Sequence, residues 1–217
     1  MLKRMWALVL LLALLAGCSD DDSNPTDPEP ARALPRTPQE LMQAVVAVQE
    51  EMDLEELAFI AHPDARVFLL ESTLQEWEAS SNPLGFSYFQ RGSLLAVHGN
   101  IFSGEQGLTP VGNPIPPVQS IDFAAVEALQ AWAPFEDPAG EFPGLEVGVC
   151  PYAVRIYFNN PDFHRYQVQG VVEFFAVEVG SGDSAGWQLL GWRESEALVT
   201  GGGTESTSWG DILTMYR

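Results

Sequence analysis

The feature that most constrains the fold is a change in the spacing of apolar residues along the chain. In the segments 38–62 and 87–102, apolar side chains recur at three- and four-residue steps, as on one face of an α-helix. From Ile121 onward the spacing becomes two, which is typical of β-strands with one buried face. Helices followed by a run of antiparallel strands indicate an α+β domain with its helices packed on one face of a sheet.

Three helices are predicted before the strands. Residues 37–40 place a capping threonine, a proline at the first helical position and a glutamate two positions later. This start signal predicts a helix over 38–52. A second helix begins at Asp53 and ends near residue 62, and a third is expected over 87–102. Residues 66–70 are short and apolar and are predicted to be extended.

The strand region begins after a loop rich in glycine and proline at 104–117. One strand is expected from Ile121 to about Trp132. Alternation over 145–158 predicts another, in which Pro151 implies a sheet edge or a break because proline has no amide hydrogen to donate.

Two further strands are predicted near the carboxyl end. Residues 166–174 alternate around Gly170, which suggests a bulge where the sheet bends. Over 187–192, the alternation places Leu190 and Trp192 on one face and the odd-numbered residues Trp187, Leu189 and Gly191 on the other.

These segments also carry short patterns that resemble a known family. The patterns are Tyr-x-Val-x-Gly-x-x-x-Phe over 166–174, Gly-Trp-x-Leu-x-x-Trp over 186–192, and a terminal Ser-Trp-Gly at 208–210 followed by an apolar turn. The chain resembles the nuclear-transport-factor-2-like, cystatin-related cone domains, and is similar to uncharacterised secreted lipoproteins of that superfamily. The resemblance covers 38–217 and implies N-terminal helices packed on a strongly curved antiparallel sheet that leaves a pocket.

The amino-terminal segment has the pattern of an export signal. Lys3 and Arg4 precede an apolar run of twelve residues, Met5 to Ala16. As a helix this run measures roughly 18 Å, which is too short for a hydrocarbon core of about 30 Å and is typical of a signal peptide. Leu15-Ala16-Gly17-Cys18 resembles the lipobox of bacterial lipoproteins, which implies removal of residues 1–17 and acylation of Cys18, with palmitate among the expected chains.

The next segment, 18–37, is rich in proline and aspartate and is predicted to be an extended tether between lipid and domain. We therefore expect three parts: a signal peptide at 1–17, the lipidated cysteine and tether at 18–37, and one α+β domain at 38–217. Ser19 follows the cysteine where an inner-membrane retention signal in enteric lipoproteins has aspartate, which favours the outer membrane of the bacterial envelope.

The charge of the chain limits its partners. The formal net charge is −20, and Lys3 is the only lysine among ten basic residues. No basic patch is available for a phosphate backbone, which excludes nucleic acid as a partner. An acidic surface also repels anionic headgroups, so the expected membrane contact is the lipid on Cys18.

The sequence shows no catalytic constellation and predicts no cofactor or metal. If Cys18 carries lipid, Cys150 is left without a disulfide partner, and its apolar neighbours predict a buried, inert thiol. His62, His98 and His164 have no metal-type spacing.

The superfamily resemblance implies that an enzyme of this kind would place an aspartate or histidine inside the cone, beside a tyrosine or a second acid. A group of five side chains, with Asp64 beside them, is the candidate pocket: His62, Tyr88, His98, Arg155 and Glu173. For the two charged strand residues among them, facing solvent or pairing across strands is the competing interpretation.

The leading hypothesis is a membrane-anchored envelope lipoprotein whose domain is a non-catalytic module. Such a module would bind a small apolar ligand or an envelope protein. The alternatives are a small cone-type enzyme, such as an isomerase, lyase or hydrolase, and an envelope assembly component with a filled cone.

Overall fold

The structure, a computed structural model, describes residues 32–126, 128, 130–136, 142–160, 165–195 and 208–217. The predicted signal peptide, Cys18, most of the tether and His164 lie outside the described residues, so those predictions stay predictions. Ala33–Arg217 forms one compact unit.

Five α-helices and nine strands make up the described chain. The helices are α1 (Pro38–Glu51), α2 (Leu54–Ile60), α3 (Glu71–Glu78), α4 (Arg91–Phe102) and α5 (Trp209–Met215). The strands are β1 (Ala61–Phe68), β2 (Tyr88–Gln90), β3 (Gly107–Leu108), β4 (Pro114–Ile115), β5 (Val118–Val126), β6 (Ala133–Pro134), β7 (Leu145–Phe158), β8 (Arg165–Val179) and β9 (Gly186–Ser195).

The main sheet has the order β2-β1-β9-β8-β7-β5, with β6 also pairing with β7. Among the described strands only β1 and β9 pair in parallel. The sheet is curved and does not close, because β2 and β5 are its two ends. The short strands β3 and β4 form a separate pair inside the loop predicted over 104–117.

The first two helices confirm the predictions from their start signals. Thr37 Oγ1 accepts a hydrogen bond from the Glu40 amide at 3.1 Å, and α1 ends at Met52 in the left-handed conformation, with φ 54°. Asp53 accepts from the Glu56 amide at 2.9 Å and starts α2. Each side-chain cap satisfies an amide that has no partner within the helix.

The third predicted helix begins later than expected, and two helices, α3 and α5, were not predicted. Residues 88–90 form β2 against β1 instead of the first turn of a helix, so α4 starts at Arg91. The unpredicted helix α3 is eight residues long and fully buries only Thr73 and Trp77, which is too weak a periodicity to detect.

Pro151 lies in the middle of β7 without breaking it. It pairs with Val171 of β8 on one side. On the other side the register with β5 ends at Tyr152, and the register with β6 begins at Val147. Proline therefore occupies the gap between two neighbouring strands, where no amide hydrogen is needed for pairing.

The sequence placed the bulge at the wrong glycine. Gly170 is in unbroken register with β7, whereas the register between β8 and β9 shifts around Leu190, so that Phe175 pairs with Gly191. Gly191 has φ 147°, and a Cβ there would lie 1.8 Å from the Arg66 carbonyl oxygen of β1, so only glycine fits. The extra residue reverses the alternation, and the expectation that Leu190 shares a face with Trp192 is wrong.

The helices pack on one face of the sheet. Helix α1 contacts β5, β8 and β9, and α4 contacts β1. Leu41, Val45 and Val48 of α1 pack in the same core as Val154 and Leu189 of the sheet, each 5% exposed or less. Burial of each such side chain contributes about 1.5–3 kcal/mol. None of the helices within the described ranges has the length and apolar character needed to cross a bilayer.

Candidate functional site

An interior cavity of about 30 Å³ lies between α1, the sheet and the start of α5. A cavity of this size has room for about two water molecules. Val46, Phe123 and Phe174 on its boundary are only half-buried, and the cavity opens partly to solvent there. The lining consists of apolar and aromatic side chains with two strongly polar ones among them: Val45, Val46, Gln49, Phe123, Tyr152, Val172, Phe174, Trp192, Glu194 and Trp209.

Glu194 of β9 is the buried acid of this cavity, with 8% of its surface exposed. Its Oε1 accepts hydrogen bonds from the Tyr152 hydroxyl at 3.1 Å and from the Gly210 amide at 3.2 Å. Among the described residues no donor meets hydrogen-bond geometry with its Oε2; the Ser208 hydroxyl lies near enough to stabilise the carboxylate but outside that geometry. Burial raises the pKa of Glu194 to about 7, and the charge of Asp211 adds to this, while the hydrogen bond from Tyr152, the nearby Ser208 side chain and the Gly210 amide oppose it.

Tyr152 reaches Glu194 by crossing an entire strand. Tyr152 lies on β7 opposite Gly170 of β8, and Glu194 lies on β9 opposite Val172 of β8. A Cβ on Gly170 would lie 3.0 Å from the tyrosine ring, which therefore fills the space that a side chain would take. Gly170 positions the tyrosine and does not form the bulge predicted from the sequence. Burial, the Glu194 charge and the hydrogen bond to Glu194 together raise the pKa of Tyr152 well above its usual range.

The same two residues hold the start of α5. The Trp209 amide donates to the Tyr152 hydroxyl at 3.3 Å, and its indole lines the interior cavity. Ser208 and Asp211 form a reciprocal capping box, with bonds of 2.9 and 2.6 Å. Thr73 of α3 donates to Asp211 at 2.5 Å. The first turn of α5 is thereby fixed to both the sheet and α3.

The second polar group of the cavity is Gln49 of α1, which is 1% exposed. His98 Nδ1 lies 2.8 Å from the Leu94 carbonyl oxygen. A carbonyl can only accept, so Nδ1 carries the hydrogen. Burial lowers the pKa of His98 to about 4, and the neutral ring then accepts through Nε2 from the Gln49 amide nitrogen at 3.0 Å. Gln49 Oε1 has no hydrogen-bond partner among the described residues.

The site therefore has two buried oxygens without donors, Glu194 Oε2 and Gln49 Oε1. An unpaired buried acceptor costs about 1–3 kcal/mol, so the arrangement favours a bound group that supplies hydrogen-bond donors. In the part of the chain that the structure describes, no three His, Cys, Asp or Glu side chains are grouped in a way that could hold a metal ion.

None of the five sequence candidates lines the interior cavity, and only His98 is linked to it. His98 reaches it through Gln49, as described above. Arg155 pairs with Asp122 at 3.3 Å, and Glu173 pairs with Arg193 at 2.5 Å, which is the cross-strand pairing that the sequence left open as the competing interpretation.

His62 and Tyr88 lie apart from the cavity as well. His62 accepts from the Asp64 amide at 3.1 Å and contacts the Phe142 ring, and partial burial is the main cause that lowers its pKa. Tyr88 packs against Phe68, with the Arg66 guanidinium 5.6 Å from its ring centre. The structure does not bring the five candidates together.

Cys150 is fully buried, as predicted. Its Sγ lies 3.1 Å from the Met42 sulfur. Burial raises the pKa of the Cys150 thiol to about 11, so the reactive thiolate form is disfavoured at neutral pH.

A second concavity, the outer groove, lies on the opposite face of the sheet. It measures about 220 Å³, and two of its residues, Phe68 and Phe135, are 38% exposed. Its lining combines aromatic rings with charged side chains: Asp64, Arg66, Phe68, Phe135, Phe142, Leu145, Phe175, Leu190 and Arg193.

Neither polar residue of the interior cavity was predicted from the sequence. Gln49 was detectable, because it stands four residues after Val45 on the buried face of α1, where a polar side chain needs a partner. Glu194 was hidden, because the alternation over 187–192 identified neither face as the inner one, and Leu189 and Glu194 both face the core only because of the bulge at Gly191.

Comparisons with known proteins give similarities at the level of structure only. No protein-family model matches the chain, and no curated protein matches it. Solved structures similar to it include NTF2-like and cystatin-like proteins. One is a nuclear transport factor 2 (NTF2-like) superfamily protein from Salmonella enterica serovar Typhimurium, with 8% identity and TM-score 0.45, covering 77% of this chain and 93% of that one.

Two further structures have comparable similarity. An NTF2-like protein of unknown function in nutrient uptake from Rhodospirillum rubrum has 13% identity and TM-score 0.38, covering 71% of this chain and 93% of that one. An uncharacterised protein with a cystatin-like fold from Caulobacter vibrioides has 14% identity and TM-score 0.37, covering 72% and 84%. No function is carried over from these similarities.

Proposed function

We propose that the chain is a membrane-anchored envelope lipoprotein whose folded domain binds a small ligand in the interior cavity without transforming it. One observation supports the binding role above all others. Glu194 Oε2 and Gln49 Oε1 are buried beside an otherwise apolar cavity, and neither accepts a hydrogen bond from the described residues. A ligand that donates to both oxygens would recover the free energy lost by burying them.

The arrangement around the acid favours binding over catalysis. The Tyr152 hydroxyl donates to Glu194 and accepts from the Trp209 amide. Glu194 Oε1 accepts a second bond from the Gly210 amide. Tyr152 and Glu194 therefore hold two amides at the start of α5, and a proton transfer through these two side chains would disturb the fold.

A small cone-type enzyme is the second candidate, and one observation favours it. Glu194 has a pKa of about 7 and lies 3.1 Å from a tyrosine hydroxyl, which is a suitable arrangement for general acid–base chemistry. Turnover of any compound bound by the cavity, lost in both Glu194→Gln and Tyr152→Phe, would replace the binding proposal with this one.

The experiment is a fragment screen by ligand-observed NMR, using compounds of up to three non-hydrogen atoms. Val46→Phe is the blocking variant, because Val46 is half-buried on the cavity boundary and the larger ring would fill the space. Val111→Phe is the matched control at a site 77% exposed. Binding should be lost in the first variant and kept in the second. A screen without hits, or hits unaffected by Val46→Phe, would contradict the binding role.

The anchor rests on the lipobox-like Leu15-Ala16-Gly17-Cys18 and is tested separately. In the native bacterium, wild-type protein should fractionate with membranes and carry an acylated Cys18 as its first residue by intact mass. Cys18→Ala should lose the acyl mass. Wild-type protein that keeps residues 1–17, or that has an unmodified Cys18 thiol, would overturn the anchor.

A further inference from the structure

We infer that the ligand of the interior cavity is a small organic cation, the ammonium head of a short primary alkylamine. This inference rests on the proposed function, because it names the chemical class that the same cavity takes. It follows from the polarity of the two free oxygens, the absence of positive charge in the lining, the aromatic walls and the size of the cavity.

When Glu194 is ionised, both free polar atoms are acceptors, and the orientation of Gln49 is fixed. Gln49 could in principle turn either its oxygen or its nitrogen toward the cavity. Its nitrogen is used by His98, whose neutral ring accepts at Nε2 because Nδ1 donates to the Leu94 carbonyl. The oxygen of Gln49 is therefore the atom left over, together with Glu194 Oε2. A primary ammonium group offers three donors and no acceptor, which matches this pair.

The electrostatics of the cavity favour a cation. Among the ten residues that line it, none is lysine, arginine or histidine, and the one ionisable carboxylate is Glu194. No cationic side chain of the described lining neutralises Glu194 when it is ionised. The net charge of −20 adds a long-range field that attracts cations to the protein.

The walls present aromatic rings around the acid. Phe174 and Trp192 are cross-strand partners with ring centres 6.2 Å apart, and Phe123 and Trp209 have ring centres 6.1 Å apart. Tyr152 completes the set of five aromatic side chains. The faces of such rings attract organic cations, and a neutral alkyl group of the same shape lacks this interaction.

The size of the cavity selects among cations. At about 30 Å³ it has space for roughly two non-hydrogen atoms. Methylammonium matches this size and ethylammonium exceeds it by one atom, whereas tetramethylammonium is much larger and has no N–H donor for the two oxygens.

The test is a titration of the full folded domain at pH 8 followed by two-dimensional amide and indole NMR. The probes are methylammonium and ethylammonium, their neutral isosteres methanol and ethanol, and tetramethylammonium. We expect each primary ammonium to bind at least tenfold more tightly than its neutral isostere and to shift the Trp192 and Trp209 indole signals. Tetramethylammonium should not shift those two signals.

Two variants locate the effect. Glu194→Gln should weaken ammonium binding at least tenfold and abolish the preference over the neutral isosteres. Glu178→Gln, which removes a charge from an exposed position on β8, should leave both unchanged. Gln49→Leu should weaken binding as well, and it keeps the test informative if the Glu194 variant does not fold.

The outcomes separate the inference from the function on which it rests. Methanol and ethanol binding as tightly as the ammonium ions would overturn the cation assignment and leave the binding role intact. Tetramethylammonium binding more tightly than methylammonium would also overturn it. No binding by any probe, charged or neutral, together with no hit in the fragment screen, would refute both.

Discussion

Replacement of Glu194 by glutamine should stabilise the protein at alkaline pH and have little effect in acid. Burial raises the folded-state pKa of Glu194 to about 7 from an ordinary value of 4.5. An acid with a raised folded pKa favours folding in its protonated form. Its contribution is therefore fully present below pH 4.5 and is lost as the pH rises through 7. Glutamine resembles the protonated acid, with an oxygen for the Tyr152 and Gly210 donors and an NH₂ group in place of Oε2.

The magnitude follows from the two pKa values. Each pKa unit corresponds to about 1.4 kcal/mol, so ionising the Glu194 carboxyl in the folded protein costs about 3 kcal/mol at pH 8. For a domain of this size, 1 kcal/mol shifts Tm by about 2–4 °C. The difference in Tm between Glu194→Gln and wild type should therefore grow from near zero at pH 4.5 to about 6–12 °C at pH 8.

The assay is urea or thermal unfolding of both proteins from pH 4.5 to 8.5. The difference between the two curves cancels every other titrating group and isolates residue 194. Glu178→Gln is the control for loss of an exposed carboxylate and should run parallel to wild type. A difference that stays constant with pH, or a wild type that gains stability relative to Glu194→Gln as the pH rises, would refute the burial argument.

Three further changes probe the same cavity. Gly170→Ala should cost about 1–3 kcal/mol in unfolding free energy, because its Cβ would lie 3.0 Å from the Tyr152 ring, which its bonds to Glu194 and Trp209 keep from moving aside. Gly92→Ala, with open space around it, should be neutral or stabilising. Equal effects of the two substitutions would contradict the packing argument. Trp209→Ala should lower the unfolding free energy by about 3–5 kcal/mol. It should also enlarge the cavity enough for tetramethylammonium to bind, as seen by NMR. Continued exclusion of that ion would contradict the position of Trp209 on the cavity boundary. Burial lowers the pKa of His98 to about 4. The unfolding free energy of the wild type, measured in urea relative to His98→Gln, should therefore fall by about 3 kcal/mol between pH 6.5 and pH 4. A difference between the two proteins that does not change with pH would contradict this.

The parts of the fold that could be predicted depend on local chemistry. The Thr37 and Asp53 caps act on amides within the next few residues, so the starts of α1 and α2 followed from the sequence. The α+β class followed from the change in apolar spacing for the same reason, because each period reflects one locally repeated geometry.

The parts that could not be predicted depend on distant contacts. The bulge at Gly191 exists because the Arg66 carbonyl of the parallel neighbour β1 approaches too closely for any side chain. That pairing is not visible in the sequence, yet it reverses the alternation in β9 and turns Glu194 inward. Similarly, position 170 is a glycine because the Tyr152 ring of β7 occupies the space of a side chain there, and not because β8 bends at that residue.

The candidate site shows the same limit. His98 was identified as a candidate from its apolar surroundings, but its partner Gln49 lies on another helix. Arg155 and Glu173 looked equally suitable, and only the sheet register shows that each pairs with a charge on a neighbouring strand.

The most direct test of the account is a crystal structure of the domain at better than 1.5 Å, grown at pH 8 with methylammonium. The account predicts electron density for the cation in the interior cavity, with its nitrogen within 3.2 Å of both Glu194 Oε2 and Gln49 Oε1. A cavity filled by a protein side chain, or a Ser208 hydroxyl that donates to Glu194 Oε2 and leaves no acceptor free, would contradict it.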